Sequence, residues 1–218
     1  MPIFEVFDDI IDKSLQEKIK FDILDNDEDF HWGFIDDITS ASNVATQKRP
    51  GFNHIFYQDL GRLNGGIGSY QDLSRQCEDY SWMARDIVYP VIDKLKLKMT
   101  QIIKSKTFLQ VPLNLKDYTV DNAHVDMIRP HLVILYYVMD SDGDTIIYNS
   151  QWEKGETTKN SEETAKLLIK KRVTPKQGRV VVFDGRYWHT AEQPKHNNRC
   201  VINNNITYEG INADLQIL

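Results

Sequence analysis

The sequence predicts a mostly β protein with helical support, of the α+β class, and three observations lead to this prediction. From about residue 100 onward, short segments rich in β-branched and aromatic residues alternate with turns. Helical spacing of apolar residues dominates residues 1–99 instead. The length of 218 residues fits one domain, in which residues 1–99 form a helical or mixed support and residues 100–218 form the β core.

Two helices are expected in the N-terminal support. The first begins near Asp12 or Ser14, either of which can cap it. Its apolar face consists of Leu15, Ile19 and Ile23. The second helix covers about Tyr80–Lys96, and its aromatic and aliphatic residues recur at helical spacing, so we expect them to pack in the core.

Seven strands are expected in the β core, and their number and regular turns favour a sandwich or a barrel over a parallel α/β sheet. The strands are Gln101–Gln110, His124–Ile128, Leu132–Met139, Thr145–Asn149, Val180–Phe183, Tyr187–Ala191 and Arg199–Tyr208. The turns are Ser141–Asp144, Thr174–Gly178 and Gln193–Asn198. The polar stretch Gln151–Thr164 predicts a surface loop that leads into a short helix near Glu162–Lys171, capped by Asn160 and Glu163.

The composition excludes several classes of protein. A net charge of −6 disfavours nucleic acid as a partner, because a phosphate backbone requires a basic face. The longest apolar run, Leu132–Met139, is too short to span a membrane, and residues 1–9 lack the features of a secretory leader. Cys77 and Cys200 are too few for a disulfide framework. We therefore expect a cytoplasmic protein with two buried thiols; the sequence does not predict its oligomeric state.

A metal site is predicted by His124 and Asp126, which stand two residues apart. On a strand, side chains at positions i and i+2 point to the same face, so the imidazole and the carboxylate can share one metal ion. Such a pair is expected by chance in a chain with six histidines and 32 acidic residues. The prediction therefore depends on the C-terminal segment, where His189 follows a buried strand and a turn at Asp184–Gly185.

Ten residues after His189, a strand begins at Arg199. Alternation places Arg199, Val201, Asn203 and Asn205 on one face, and the largely apolar set Cys200, Ile202, Asn204 and Ile206 on the other. A buried arginine needs a carboxylate partner. Two histidines and one carboxylate form the facial triad of non-haem Fe(II) oxygenases, which leaves positions open for a bidentate 2-oxo acid and for O₂.

With His124, Asp126, His189 and Arg199 in this order and spacing, the chain resembles the 2-oxoglutarate/Fe(II)-dependent dioxygenases. The resemblance is to the prolyl-hydroxylase-like branch found in phage and marine microbes. The resemblance covers about Asn114–Tyr208. The segments that carry it are Ala123–Asp126, Leu135–Val138, Asp142–Thr145, Val182–Gly185, His189 and the pattern Arg199-x₃-Asn203-x-Asn205. It implies a double-stranded β-helix, also called a jelly roll and shared with cupins, with the N-terminal helices packed on one sheet.

The resemblance also implies roles for individual residues. The iron ligands would be His124, Asp126 and His189, and Arg199 would bind the 5-carboxylate of 2-oxoglutarate. Further co-substrate contacts would come from Tyr137 (Tyr136 if the register differs by one), Asn203, Asn205 and Asn114. Residues proposed at the mouth of the site are Arg129, His131, Arg186 and His54. Asp184 is expected to fix the turn before His189.

The implied activity is hydroxylation of an unactivated C–H bond with release of succinate and CO₂. A peptidyl residue such as proline is the first candidate substrate, and a free amino acid or other small metabolite is the second. The branch that repairs nucleic acids would have a second arginine at position 205, where this chain has asparagine. An alternative of another class is a non-oxidative, cupin-like metal-binding module, which has no need of a buried arginine after the last ligand.

Overall fold

The computed structural model describes residues 3–26, 28–38, 48–58, 80–115 and 120–211. The described strands are β1 (Phe4–Phe7), β2 (Gly33–Ile35), β3 (Gly51–Gln58), β4 (Met99–Gln110), β5 (Leu132–Tyr137), β6 (Thr145–Gln151), β7 (Ile169–Val173), β8 (Val180–Asp184), β9 (Tyr187–Ala191) and β10 (Arg199–Tyr208). The helices are α1 (Lys13–Lys20), which continues as a π-helical turn over Phe21–Asp25, α2 (Ser81–Leu95) and α3 (Ser161–Ala165).

The strands form two antiparallel sheets. The larger sheet has seven strands in the order β1-β8-β5-β10-β4-β3-β2, and the smaller sheet has three in the order β7-β6-β9. Strands that are distant in the sequence are neighbours in both sheets, as in β1 with β8 and β10 with β4. This arrangement of two facing antiparallel sheets confirms the predicted jelly roll.

Two apolar cores explain how the layers hold together. Between the sheets, residues of β5 such as Val133 and Leu135 pack with Ile147 of β6 and with Phe183 of β8. On the other face of the larger sheet, apolar residues of the helices pack against β5, β8 and β10. The helical residues of this second core include Ile19, Ile87 and Val91, and the strand residues include Ile134, Val182 and Ile202. The N-terminal helices therefore pack on one sheet, as the sequence predicts.

The alternation predicted for β10 is confirmed. Cys200 and Ile202 face the helices, whereas Val201 faces the smaller sheet. Cys200 is a free, buried thiol, and burial raises its pKa to about 12. Cys77 lies outside the described residues. None of the helices in the described part of the chain has the length and apolar character needed to cross a membrane.

The N-terminal support is mixed, because β1, β2 and β3 join the larger sheet. Two predictions about elements were wrong. Residues 124–128 do not form a strand; only His124 makes bridges, to Thr158 and His189. The capping pair Asn160 and Glu163 is present, but the helix ends at Ala165, since the chain then pairs with β6 as strand β7.

Candidate metal centre and its cavity

The two histidines of the predicted triad are joined by their backbones. His124 donates its N–H to the carbonyl of His189 at 2.9 Å, and His189 donates to the carbonyl of His124 at 3.0 Å. Because directly paired residues in such a bridge project on the same side, the imidazole rings lie side by side, with centroids 4.7 Å apart. A bridge from His124, which lies outside any regular strand, thus aligns the two histidines.

Asp126 completes the triad. Its side chain is 4 % exposed, and its Oδ2 lies 3.7 Å from Nε2 of His189. One potential ligand atom from each of His124, Asp126 and His189 lies within 4.8 Å of the others. This spacing matches two nitrogens and one oxygen that converge on a single ion.

Hydrogen bonds to the backbone set which imidazole nitrogens face the centre. Nδ1 of His189 lies 2.8 Å from the carbonyl of Tyr187, so Nδ1–H donates and Nε2 keeps its lone pair. Nδ1 of His124 makes a longer contact of 3.3 Å to the carbonyl of Asn122. Nε2 of His189 is buried and has no hydrogen-bond partner among the described residues. A metal ion would satisfy this atom.

The titration behaviour of the triad also suits a metal. Burial, together with the neighbouring charge of His189, lowers the pKa of His124 to about 4. Burial alone would raise the pKa of Asp126, but the close approach of His189, whose Nε2 lies 3.7 Å from Oδ2, outweighs it and holds the pKa well below its ordinary value. Near neutral pH, His124 is therefore neutral and Asp126 ionised, as metal ligands must be.

Asn203 and Asn205 contact the carboxylate of the triad. Both amides donate to Oδ2 of Asp126, each at 2.9 Å. One N–H of each amide therefore orients the carboxylate, and the predicted contact of both residues with a co-substrate stays a prediction. The β10 alternation that placed them on the face of Arg199 is confirmed.

Arg199 lies in the same cavity as the triad and is 5 % exposed. Its guanidinium donates to three neutral acceptors: the carbonyl of Gly143 at 2.9 Å, Oε1 of Gln110 at 2.8 Å and Oγ1 of Thr145 at 2.7 Å. Among the described residues, no carboxylate lies within ion-pairing distance of it. Burial lowers the pKa of Arg199, as expected for a cation without a paired anion.

Tyr137, rather than Tyr136, lies on the side of Arg199. Its ring lies 5.9 Å from the guanidinium carbon, and its hydroxyl donates to Oγ1 of Thr145 at 2.7 Å. Tyr136 packs among the residues of the helical core. The register therefore places Tyr137, and not Tyr136, beside Arg199.

Sequence reasoning missed a buried polar network behind Arg199. Gln110 accepts from Arg199 and donates through Nε2 to Asp121 at 3.0 Å. Asp121 also accepts a hydrogen bond from the amide of Gln193. It pairs with Arg49, which lies in the segment before β3. The period-two pattern of β4 could have identified Gln110, because it shares a face with Phe108 and two lysines.

The cavity has a volume of about 250 Å³. Its lining brings together the triad, the guanidinium and an apolar wall. Besides His124, Asp126, His189 and Arg199, it is formed by residues that include Lys104, Lys106, Phe108, Gln110, Leu135, Thr145, Val201 and Asn203. Lys104 and Lys106 were not singled out in the sequence.

Two residues predicted at the mouth are buried elsewhere. His54 packs in an aromatic cluster, with its ring centroid 4.6 Å from that of Phe30 and 5.3 Å from that of Phe56. His131 is fully buried, with Nδ1 2.7 Å from the carbonyl of Arg129. Both predictions are corrected, because neither ring reaches the cavity lining.

The other residues that were predicted at the site also lie outside the lining of this cavity. Arg186 pairs with Asp184, its Nη2 lying 2.6 Å from Oδ2, and Asp184 accepts from the backbone of Arg186, which fixes the turn as expected. Arg129 is half-buried and Asn114 is exposed in the loop after β4. The described position of Asn114 gives no support to its predicted contact with a co-substrate.

Comparison with known proteins gives similarity at the level of structure. No protein-family model matches the sequence, and no curated protein matches it. A prolyl hydroxylase from Trichoplax adhaerens, solved with a hypoxia-inducible-factor peptide, has a TM-score of 0.58 at 13% identity, covering 94% of this chain and 84% of its own. A prolyl-4-hydroxylase from Pseudomonas putida has a TM-score of 0.54 at 12% identity, covering 93% and 91%.

A third similar structure is HygX from Streptomyces hygroscopicus, solved with nickel, 2-oxoglutarate and hygromycin B bound. Its TM-score is 0.52 at 12% identity, covering 96% of this chain and 84% of that one. At such low sequence identities, the structural similarity establishes the fold alone. The chain therefore has the fold of the 2-oxoglutarate/Fe(II) oxygenases, with a His-x-Asp…His triad assembled in its cavity.

Proposed function

We propose that this protein is an Fe(II)- and 2-oxoglutarate-dependent oxygenase that hydroxylates an unactivated C–H bond and releases succinate and CO₂. The observation that carries the proposal is Arg199, a buried guanidinium that shares a cavity with the metal triad and has only neutral partners. HygX, which has the same fold, binds nickel and 2-oxoglutarate.

The energetics of Arg199 support a dicarboxylate co-substrate. A buried charge without a counter-ion costs several kcal/mol, and a bidentate carboxylate offsets much of that cost. Gly143, Gln110 and Thr145 hold the guanidinium by three hydrogen bonds, so its position is set before any ligand arrives. The distal carboxylate of 2-oxoglutarate fits this requirement, while its 2-oxo acid end would reach the triad.

The triad suits Fe(II). His124, Asp126 and His189 offer two nitrogens and one oxygen, with one histidine nitrogen buried and unsatisfied. When bound, iron supplies the activation of O₂ and the oxidising power. The chain contributes ligand orientation through Asn203 and Asn205, and the apolar wall of Leu135 and Val201 excludes water around the co-substrate.

The substrate we propose first is a peptidyl residue such as proline, because two of the similar structures are prolyl hydroxylases. A free amino acid or other small metabolite is the second candidate, favoured by the likeness to HygX with its bound hygromycin B. We also propose that residues 1–218 form one domain, since strands of the N-terminal part complete the larger sheet.

The decisive experiment is to add Fe(II) and 2-oxoglutarate to the protein without O₂ and to record the visible charge-transfer band. The band should form in the wild type, be lost in Asp126→Ala and require much more 2-oxoglutarate in Arg199→Met. Arg172→Met is the matched control, because Arg172 pairs with Asp144 and Glu192 at the surface. With O₂ present, succinate formation should follow the same order.

The same experiment separates the proposal from the alternative of a cupin-like metal module. Folded, metal-loaded protein that neither shows the band nor turns over 2-oxoglutarate would contradict the oxygenase assignment. Equal succinate formation by Asp126→Ala and the wild type would also overturn it. Mass spectrometry for +16 Da products, with peptide and metabolite libraries, then distinguishes the two substrate classes.

A further inference from the structure

Two lysines of β4 line the cavity beside the triad. Lys104 and Lys106 alternate with residues on the opposite face of the strand and share the cavity face with Phe108 and Gln110. In the β4–β10 register, Lys106 lies opposite Asn203 and Lys104 opposite Asn205. These are the asparagines that hold the carboxylate of Asp126, so the lysines flank the metal centre.

Neither lysine is paired with an anion in the part of the chain that the structure describes. In the described ranges, no carboxylate lies within ion-pairing distance of Lys104 or Lys106, and the ammonium of Lys106 lies 4.2 Å from the ring centroid of Phe108. Two adjacent cations on the wall of a cavity are unfavourable unless an anion joins them.

The co-substrate does not account for this pair. Arg199 contacts Gln110, which is four residues from Lys106 along β4, or ~13 Å at the usual rise of a strand, and six residues from Lys104. The distal carboxylate of 2-oxoglutarate, once bound at Arg199, would therefore be separated from both lysines along the strand, and its 2-oxo acid end would be engaged by the metal. The two lysines are therefore available to bind a second molecule, which would approach the metal from the end of the cavity opposite Arg199.

We propose that Lys104 and Lys106 bind an anionic group, a carboxylate or a phosphate, of the molecule that this enzyme oxidises. The inference rests on the proposed function, because it assumes that Arg199 and the triad hold the co-substrate. It narrows the substrate to acidic metabolites or to peptides that carry an acidic group close to the reacting carbon.

Lysine-selective NMR tests the inference without turnover. Protein labelled with ¹³C at lysine is loaded with Zn(II), which has no redox chemistry, and with 2-oxoglutarate, and is then titrated with acetate and separately with phosphate. We expect the resonances of Lys104 and Lys106 to shift and to saturate with at least one of the two anions, while the exposed Lys154 shows no saturation. The anion that binds more tightly identifies the preferred group.

Variants make the test specific. Lys104→Gln, monitored at Lys106, and Lys106→Gln, monitored at Lys104, should each weaken anion binding about tenfold, as expected for loss of one charge-assisted contact. Lys106→Arg should retain binding, and Lys154→Gln should leave it unchanged. Neutral acetamide should produce no saturable shift.

Two results would overturn the inference. In one, both anions shift Lys104 and Lys106 no differently from Lys154. In the other, 2-oxoglutarate alone saturates both lysines and neither anion adds a shift, which would make them part of the co-substrate site. Failure of the proposed function is recognised separately, because Fe(II) and 2-oxoglutarate would then give no charge-transfer band.

Discussion

The side-chain amide of Asn205 donates a 2.9 Å hydrogen bond to Oδ2 of Asp126. Asn203, two residues earlier on β10, donates to the same oxygen at the same distance. Asp126 itself belongs to a segment without regular secondary structure, whereas β10 is paired on both sides, with β4 and β5. The orientation of the metal-ligating carboxylate is therefore set by a rigid central strand.

Loss of these amides should weaken metal binding. We expect Asn203→Ala and Asn205→Ala together to lower the affinity for Fe(II) or Zn(II) about ten- to a hundredfold, because partners of metal ligands typically contribute that much. Titration with the metal in the absence of 2-oxoglutarate measures the effect. Asn149→Ala, at an exposed position of β6, is the control, and equal affinities of the three proteins would disprove the role.

A second prediction concerns Gln110, which accepts from Arg199 and donates to Asp121. Gln110→Ala should raise the concentration of 2-oxoglutarate required for half-maximal charge-transfer absorbance about tenfold, because Arg199 loses one of its fixed acceptors. Gln110→Glu should have a larger effect, since its carboxylate would occupy the guanidinium and compete with the co-substrate. Metal affinity should not change in either variant.

Gln177→Glu provides the matched control for this substitution, because Gln177 contacts Glu17 at the surface. The assignment of Gln110 would be refuted if Gln110→Glu bound 2-oxoglutarate as tightly as the wild type. A loss of metal affinity in Gln110→Ala would instead indicate a general disturbance of the cavity.

The sequence predicted those features of the site that depend on local periodicity. The two faces of β10 follow from the alternation of Arg199, Cys200 and Val201, because a strand repeats every two residues regardless of its partners. The spacing of His124 and Asp126 predicted shared ligation only together with His189. The structure brings these residues together without the expected strand, because a bridge to His189 aligns His124, and Asn203 and Asn205 hold Asp126.

Long-range pairing explains most of what could not be predicted. β1 is a four-residue strand whose position depends on pairing with β8, so that Phe4 lies opposite Phe183. No local pattern reveals such a partner. The same limit applies to Lys104 and Lys106: their alternation on β4 is visible in the sequence, but only the β4–β10 register shows that their face borders the metal centre.

A third prediction concerns pH and the ion pair between Asp8 and Arg179. The pair is bidentate, with contacts of 2.7 Å and 2.9 Å, and it connects the end of β1 to the residue before β8. The hydrogen bond from Arg179, opposed by partial burial, lowers the pKa of Asp8. Its stabilisation is therefore fully present above the unfolded value of about 3.9 and is lost as pH falls through the lower folded value.

Asp8→Asn should thus reduce the free energy of unfolding at pH 7 by less than about 1 kcal/mol, because the pair is partly exposed and screened. Urea titrations of the wild type and the variant should differ most near neutral pH and converge as the pH falls below 3.9. Asp25→Asn, at an exposed position, should show no such convergence. A difference that grew on acidification would contradict the predicted sign.

The last prediction concerns Gly185, which lies against the ring of His131. A Cβ at position 185 would lie 2.0 Å from Nε2 and 2.3 Å from Cδ2 of this fully buried ring. The ring cannot turn away freely, because Nδ1 is held by the carbonyl of Arg129 at 2.7 Å. Gly185→Ala should therefore lower the free energy of unfolding by about 1–3 kcal/mol, as overpacking of a core does.

A double-mutant cycle identifies the cause. His131→Ala removes the ring, and in that background Gly185→Ala should cost little, because the new methyl group occupies vacated space. Urea titration of the four proteins gives the coupling free energy directly. If the losses in free energy of unfolding simply add, Gly185 is needed for its backbone conformation and the predicted clash is wrong. Strong coupling would show that His131 packs against Gly185 and fixes the turn before His189.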